Sequence, residues 1–248
     1  MRILLPPSET KRSGGTGKSL SLESLALPSL SPQRESVVHA LVALSQDPVE
    51  ARRVLKLSDR QLGDIAQNAA LLESPTMAAI DRYTGVLYDA LDAASLGASS
   101  RRWLNHHVLI HSAPFGPISA LDAIPAYRLA AGASVPGLPA LRRHWAAATS
   151  DAIAQEAPAF VLDLRSEAYV ALGPVPDAVS STYVRVITEQ GKALNHFNKK
   201  AKGELVRALA QDRPRVRSQR ALQNWAAKHA IVMRESQTGG VLELVVGG

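Results

Sequence analysis

Three stretches of this sequence end in side chains able to do chemistry. After "RILLP" come Ser8, Thr10 and Lys11. After "HHVLI" come His111, Ser112 and Gly116, and then Tyr127 and Arg128. After "AFVLDL" come Arg165, Ser166, Glu167 and Tyr169. Hydroxyls and cations together hold an anionic group, and a carboxylate such as Glu167 can act as acid or base. Loops beyond the carboxyl ends of neighbouring parallel strands meet in one crevice. If these three strands are such neighbours, Thr10, Lys11, Ser112, Tyr127, Arg128, Ser166, Glu167 and Tyr169 share a pocket suited to a small anionic or nucleotide-like ligand. The same residues admit a structural reading, in which Arg128 and Glu167 form an ion pair and the serines cap turns. The sequence leaves both open, and it names no reaction.

Familiar catalytic patterns are missing. Gly17-Lys18-Ser19 ends like a phosphate-binding loop, but the pattern requires a glycine where this chain has Arg12. The residues that follow, "LSLESLALPSLSP", lack the helix that such a loop must open. There is no G-x-S-x-G elbow, no H-E-x-x-H and no dinucleotide fingerprint. The chain has 0 cysteines, which removes disulfide scaffolds, thiolate metal sites and cysteine nucleophiles. Seven histidines without ligand spacing make a poor iron site, so no metal and no cofactor is expected. His107 and His111, read as one strand face, stand about 13 Å apart, too far to share a metal unaided. Asp163, mid-strand, is expected to meet a hydrogen-bond partner.

Charge supplies a second candidate site. The 248 residues carry a net +6. Residues 182–235 hold 12 Lys and Arg against 4 acids, a balance of +8, which leaves −2 for all the rest. Such regional basicity points to an anionic partner surface. In "ALNHFNKKAKGELVRALAQ" a helical projection gathers Leu194, Phe197, Ala201, Leu205, Ala208 and Leu209 within about 120°. Lys199, Lys200, Lys202 and Arg207 spread over the remainder, Lys192 precedes them, and Gly203 falls mid-way along the charged face. There a glycine would let a phosphate approach the backbone. "RPRVRSQR" adds Arg213, Arg215 and Arg217 at the join to the next helix, with Arg220 beyond. A solvated amphipathic helix is the plain alternative, but few of these cations have an i,i+4 acid. Contacts of this kind with DNA would be largely sequence-independent and strongly weakened by salt.

The elements that must position these groups follow from apolar patterning. "RILLP", "HHVLIHSAPFG", "AFVLDLRSEAY" and "TYVRVITE" read as strands, the first three running into polar loops. Helices are expected over "ESVVHALVAL", from a capping box of Ser58 and Gln61 with a Leu57–Leu62 staple, and from Pro75 to about Leu91. Further helices are expected in "LPALRRHWAAATSDAIAQEA" and at about 193–211 and 218–230. "AIVMRES" and "VLELVV", joined by "QTGG", form a β-hairpin. Residues 14–32, rich in Ser, Gly and Pro, read as exposed and mobile. Alternating strands and helices predict an α/β (mixed α+β) fold with a mixed β-sheet flanked by helices, over a single domain spanning residues 1–248. "MRILLPPSE" is not a signal peptide and no stretch suits a bilayer span, so a cytoplasmic protein without membrane association is expected.

With these segments identified, the sequence resembles the YaaA family of peroxide-stress resistance proteins over nearly its whole length. The resemblance rests on Pro7 and Thr10 after the first strand; Gly85, Val86 and Tyr88 in "YTGVLYDAL"; and Ser112, Gly116, Asp122, Pro125, Tyr127 and Arg128 in "HSAPFGPISALDAIPAYRL". It rests also on Trp145, on Ser166, Glu167 and Tyr169 in "LRSEAY", and on Lys199, Lys200 and Gly203 in "NKKAKG". It implies a cytoplasmic protein that limits iron-dependent oxidative damage under hydrogen peroxide, a family-specific mixed fold, and DNA binding through a helix–hairpin–helix element, for which "NKKAKGELVRAL" is the candidate. Glu9 and Lys202 depart from the family pattern, which favours lysine and arginine at those two places.

Overall fold

The computed structural model describes residues 1–191 and 196–247; for His196 and Phe197 it describes the backbone alone. In chain order the strands are β1 (Arg2–Leu5), β2 (Met77–Ala78), β3 (Val108–Ser112), β4 (Gly116–Ser119), β5 (Ala123–Ile124), β6 (Val161–Asp163), β7 (Ser181–Thr188), β8 (Val232–Glu235) and β9 (Val241–Val246). The α-helices are α1 (Ser31–Leu44), α2 (Pro48–Leu55), α3 (Gly63–Ala69), α4 (Ala79–Arg82), α5 (Val86–Leu91) and α6 (Ala98–His107). They continue with α7 (Leu141–Glu156), α8 (Glu167–Ala171), α9 (His196–Asp212) and α10 (Gln219–Lys228).

Seven strands form one mixed sheet in the order β4-β3-β1-β6-β7-β9-β8. β1 lies parallel to both β3 and β6, and the parallel run continues through β7 to β9. Only the outermost strands, β4 and β8, are antiparallel to their neighbours. The central strands are short unbroken apolar runs because both of their faces are covered. All five residues of β3 and all three of β6 are buried. Each large aliphatic side chain so buried contributes about 1.5–3 kcal/mol. β9, nearer the sheet's edge, alternates instead, with Leu242 and Leu244 inward. The expected mixed sheet, flanking helices and closing hairpin are all present.

Several boundaries differ from expectation. Residues 14–32 are anchored as well as exposed: Leu25, Leu27 and Leu30 are buried, and the fully buried Arg34 donates to the carbonyls of Leu25, Ala26, Phe115 and Pro117. The Gly17 amide donates to Thr76 O at 2.9 Å, and Thr76 Oγ1 donates to Lys18 O at 2.7 Å. The glycines and prolines that suggested mobility shape a tight path instead. Between Pro75 and Leu91 there is no continuous helix. β2 pairs with β5, α4 makes a single turn, and α5 starts afresh after Gly85, whose φ of 94° disfavours any other residue. The Ser58–Gln61 capping box forms, with Leu57 buried and Leu62 40% exposed. His107 ends α6 and is not a strand residue.

Candidate functional site

Because β1, β3 and β6 are parallel neighbours, the loops that leave their carboxyl ends emerge at one edge of the sheet, as the residue types suggested. There the surface is indented by a crevice in two adjoining halves that share Pro6, Leu87, Ser166 and Lys199. One half, about 430 Å³, is bounded by the loop after β1, the start of α5 and Tyr169. The other, about 400 Å³, is bounded by Ser166 and Glu167 after β6, Tyr183 of β7, and Asn198, Lys199 and Lys202 of α9. Thr10, Ser166, Glu167 and Tyr169 therefore line it, with Lys199 from the basic helix.

The loop after β1 is held by its own hydroxyls. Thr84 Oγ1 donates to Thr10 Oγ1 at 3.0 Å, and Ser8 Oγ lies 3.2 Å from Thr10 Oγ1. Thr84 N also donates to Thr10 O at 3.2 Å, so the loop runs beside residues 82–84 as an added backbone pair. On the far side, Tyr88 donates its hydroxyl to Pro6 O at 2.7 Å, which ties α5 to the end of β1.

Lys11, Ser112 and Tyr127 stand behind this wall and do not line the crevice. Lys11 Nζ donates to Ser8 O at 2.9 Å and Glu9 O at 3.2 Å, and sits 4.1 Å from the centre of the Tyr127 ring. Burial, followed by the nearby Arg128 charge, lowers its ammonium to about 7. Tyr127 continues inward: its hydroxyl is 2.7 Å from that of Tyr83 and accepts from Ser112 Oγ at 3.0 Å. Burial raises both phenols, so the three hydroxyls form a neutral chain. Arg128 donates to Glu9 at 3.3 Å, so its partner is Glu9 and not the Glu167 that sequence alone offered.

The wall after β6 depends on a buried pair two residues apart. Arg165 donates to both carboxylate oxygens of Asp163, at 2.9 Å and 2.6 Å, and its backbone amide donates to Asp163 Oδ1 at 3.0 Å. Its remaining nitrogen donates to Gly173 O at 2.8 Å and to His111 Nδ1 at 2.9 Å. Accepting at Nδ1 fixes the neutral His111 tautomer that carries its proton on Nε2, and burial holds the ring well below its ordinary value. Arg165 thereby fastens residues 166–173, which carry Ser166, Glu167 and Tyr169 into the crevice. Sequence reasoning placed Arg165 near the site but missed this fastening role. An arginine two residues beyond a mid-strand aspartate was its only signal.

The basic helix departs most from expectation. Lys199 and Lys200 are exposed, Lys200 within 3.6 Å of Glu204. Lys202 is turned inward, 4% exposed, with Nζ 5.3 Å from the centre of the Tyr183 ring. Among the described residues it has no hydrogen-bond or ion-pair partner. Burial lowers its ammonium to about 8, against an opposing pull from Asp163. Gly203 is buried, not open to a phosphate: a Cβ there would stand 2.2 Å from Leu87 O. This close passage of α9 over α5 is the reason a glycine is needed. Arg207 does not face outward to a ligand, since it donates to Leu91 O at 2.9 Å, Asp92 O at 3.0 Å and Ser95 Oγ at 2.9 Å. Arg213, Arg215 and Arg217 are exposed and line a groove with Met1 and His107, at the opposite end of the strands from the crevice. None of the three has an ion-pair partner among the described residues. Lys192 lies outside the described residues. The cations thus form two groups, at the two ends of α9 and roughly 20 Å apart along its axis at 1.5 Å per residue.

Among the described residues no group of three or more His, Asp and Glu is placed to hold a metal ion, and no helix is long and apolar enough to cross a membrane.

Known proteins match along the chain. The family model described as "Peroxide stress protein YaaA" matches residues 1–229. A UPF0246 protein of Corynebacterium glutamicum is 42% identical over 242 residues, covering 95% of this chain and 96% of its own. A UPF0246 protein of Streptomyces coelicolor is 42% identical over 214 residues, covering 84% and 82%. An uncharacterized protein of Campylobacter jejuni is 26% identical over 252 residues, covering 99% and 98%.

Proposed function

The chain belongs to the family of peroxide stress protein YaaA, and from that premise we propose that it binds DNA by its phosphate backbone and so limits iron-dependent oxidative damage in the cytoplasm. Membership supports a part in the peroxide-stress response. The observation that carries the DNA reading is the connector between α9 and α10, where Arg213, Arg215 and Arg217 are exposed and unpaired among the described residues. Unpaired guanidiniums suit phosphate contact because no internal bond has to be broken first. Lys199 and Lys200 supply a second contact at the other end of α9. Their separation of roughly 20 Å corresponds to about six steps of 3.4 Å along one DNA strand. Such a grip reads no sequence.

The test is a fluorescence-anisotropy titration of a duplex of arbitrary sequence at several salt concentrations. Binding should weaken with a log–log slope of about −0.9 for each phosphate contacted. Absence of binding at low salt, or affinity indifferent to salt, would remove the reading.

A second reading is favoured by a separate observation. Lys202, 4% exposed as a residue, lines the crevice without a hydrogen-bond or ion-pair partner among the described residues, and Glu167 lines the same half. A cation that reaches the crevice can donate to an anionic group that enters it. This suits an enzyme that acts on a small anionic or nucleotide-like substrate. Crystals soaked with inorganic phosphate would test it: density beside Lys202 is expected, and an empty crevice at saturating phosphate counts against it.

A further inference from the structure

Three lysines lie near the strand-end edge, and their surroundings separate their roles. Lys199 is exposed at the lip. Lys11 is bound to two carbonyls and covered by the Tyr127 ring. Lys202 is buried against the Tyr183 ring, has no hydrogen-bond or ion-pair partner among the described residues, and lines the crevice. An amine on a largely covered stem, without a hydrogen-bond or ion-pair partner among the described residues and open to a cavity, has the surroundings of an imine-forming lysine.

We propose that Lys202 is a nucleophile that forms an imine with an aldehyde carrying a phosphate on its β-carbon, bound in the crevice with the phosphate toward Lys199. This deepens the enzyme reading above and rests on it. The two lysines are three residues apart on one helix, so their side chains leave neighbouring points of the same face. The roughly 400 Å³ half-crevice holds a substrate of this size. Burial favours the neutral amine that the reaction needs.

The chemistry closes on itself. The Lys202 amine adds to the carbonyl carbon, and the carbinolamine loses its hydroxyl as water to give the imine. The electron-poor imine acidifies the α-carbon. Glu167 removes that proton, the C–H pair becomes a carbon–carbon double bond, and the β-carbon–oxygen bond breaks as phosphate departs with its electrons. Water then releases the unsaturated aldehyde and restores the amine. No oxidant, metal or cofactor enters the sequence.

Two sources supply such an aldehyde: a free triose phosphate, and the sugar left in DNA where a base has been lost. The full chain is incubated with glyceraldehyde 3-phosphate in one arm and with a duplex carrying one abasic site in the other. Both arms contain sodium borohydride, which reduces an imine to a stable secondary amine, and digestion with mass spectrometry locates the adduct. An adduct on Lys202 in either arm is expected, and the arm identifies the source. The Lys202→Met chain should lower it to the borohydride-free background, with circular dichroism confirming the fold. No adduct in either arm, or adducts confined to Lys199 and other exposed lysines, overturns the proposal. If Lys202→Met fails to fold, the mapping on the unaltered chain still decides. Binding of intact duplex is measured alongside, and its absence while trapping persists counts against the DNA grip alone.

Discussion

The α-carbon of Gly203 in α9 passes so close to Leu87 of α5 that a methyl group on it would stand 2.2 Å from the Leu87 carbonyl oxygen and 2.9 Å from Ala90 Cβ. In an open helix, replacing glycine by alanine gains about 1 kcal/mol. Here the opposing atom is backbone and cannot rotate away, so α9 must lift from α5. Gly203→Ala is therefore destabilising, by about 1–3 kcal/mol as for other overpacked sites. Urea denaturation measures it; a variant as stable as the parent would show that the two helices separate freely.

The basic residues of α9 and its connector divide by role. Arg207→Ala should lower the melting temperature, because it frees the carbonyls of Leu91 and Asp92, while leaving the salt slope of DNA binding unchanged. Arg213→Ala with Arg215→Ala should do the reverse. The melting temperature holds, and the slope falls by about 0.9 for each phosphate no longer neutralised. Measuring both quantities on both variants decides, and equal effects on binding would return Arg207 to the interface.

Asp163 and Arg165 are 5% and 0% exposed. Asp163→Ala strands a buried guanidinium and should cost about 3–5 kcal/mol. The double replacement Asp163→Leu with Arg165→Met should recover part of that, since neither charge is then left alone. Chemical denaturation of the parent and the two variants provides the comparison, and a double replacement less stable than Asp163→Ala would argue against coupling.

Lys11 makes stability depend on pH. The folded chain releases this proton near 7, whereas the ordinary value is 10.5. Between those limits the unfolded state binds more protons, so stability rises with pH. The cause is burial first and then Arg128, with Asp64 and Glu9 opposing. Relative to Lys11→Met, the parent should gain stability from pH 7 towards pH 10. A constant difference in denaturation midpoint across that range would refute the assignment.

The strand core was legible because β1, β3 and β6 are buried on both faces, which leaves unbroken apolar runs bounded by polar or turn-forming residues. The convergence of their loops followed from chain direction. The orientation of α9 was not legible. A projection assigns lysine and glycine to solvent by type, yet α9 touches α5 on the side where Gly203 lies and closes the crevice on the side where Lys202 lies. Polar residues there are admitted by neighbours the sequence does not name. Residues 75–91 were misread for a related reason. Pro75 suits a helix start locally, but β2 pairs with β5, some 45 residues further on, and that long-range pairing overrides the local signal. Arg128 was matched with the wrong acid because two carboxylates were on offer and only geometry selects Glu9.

β9 follows every other strand in sequence, yet it lies inside the sheet, hydrogen-bonded to β7 on one side and to β8 on the other. During synthesis β7 stays bare along most of one side until residues 241–246 have left the ribosome. The sheet therefore closes late, and a stop codon ahead of residue 241 would remove an interior plank, not a dispensable tail.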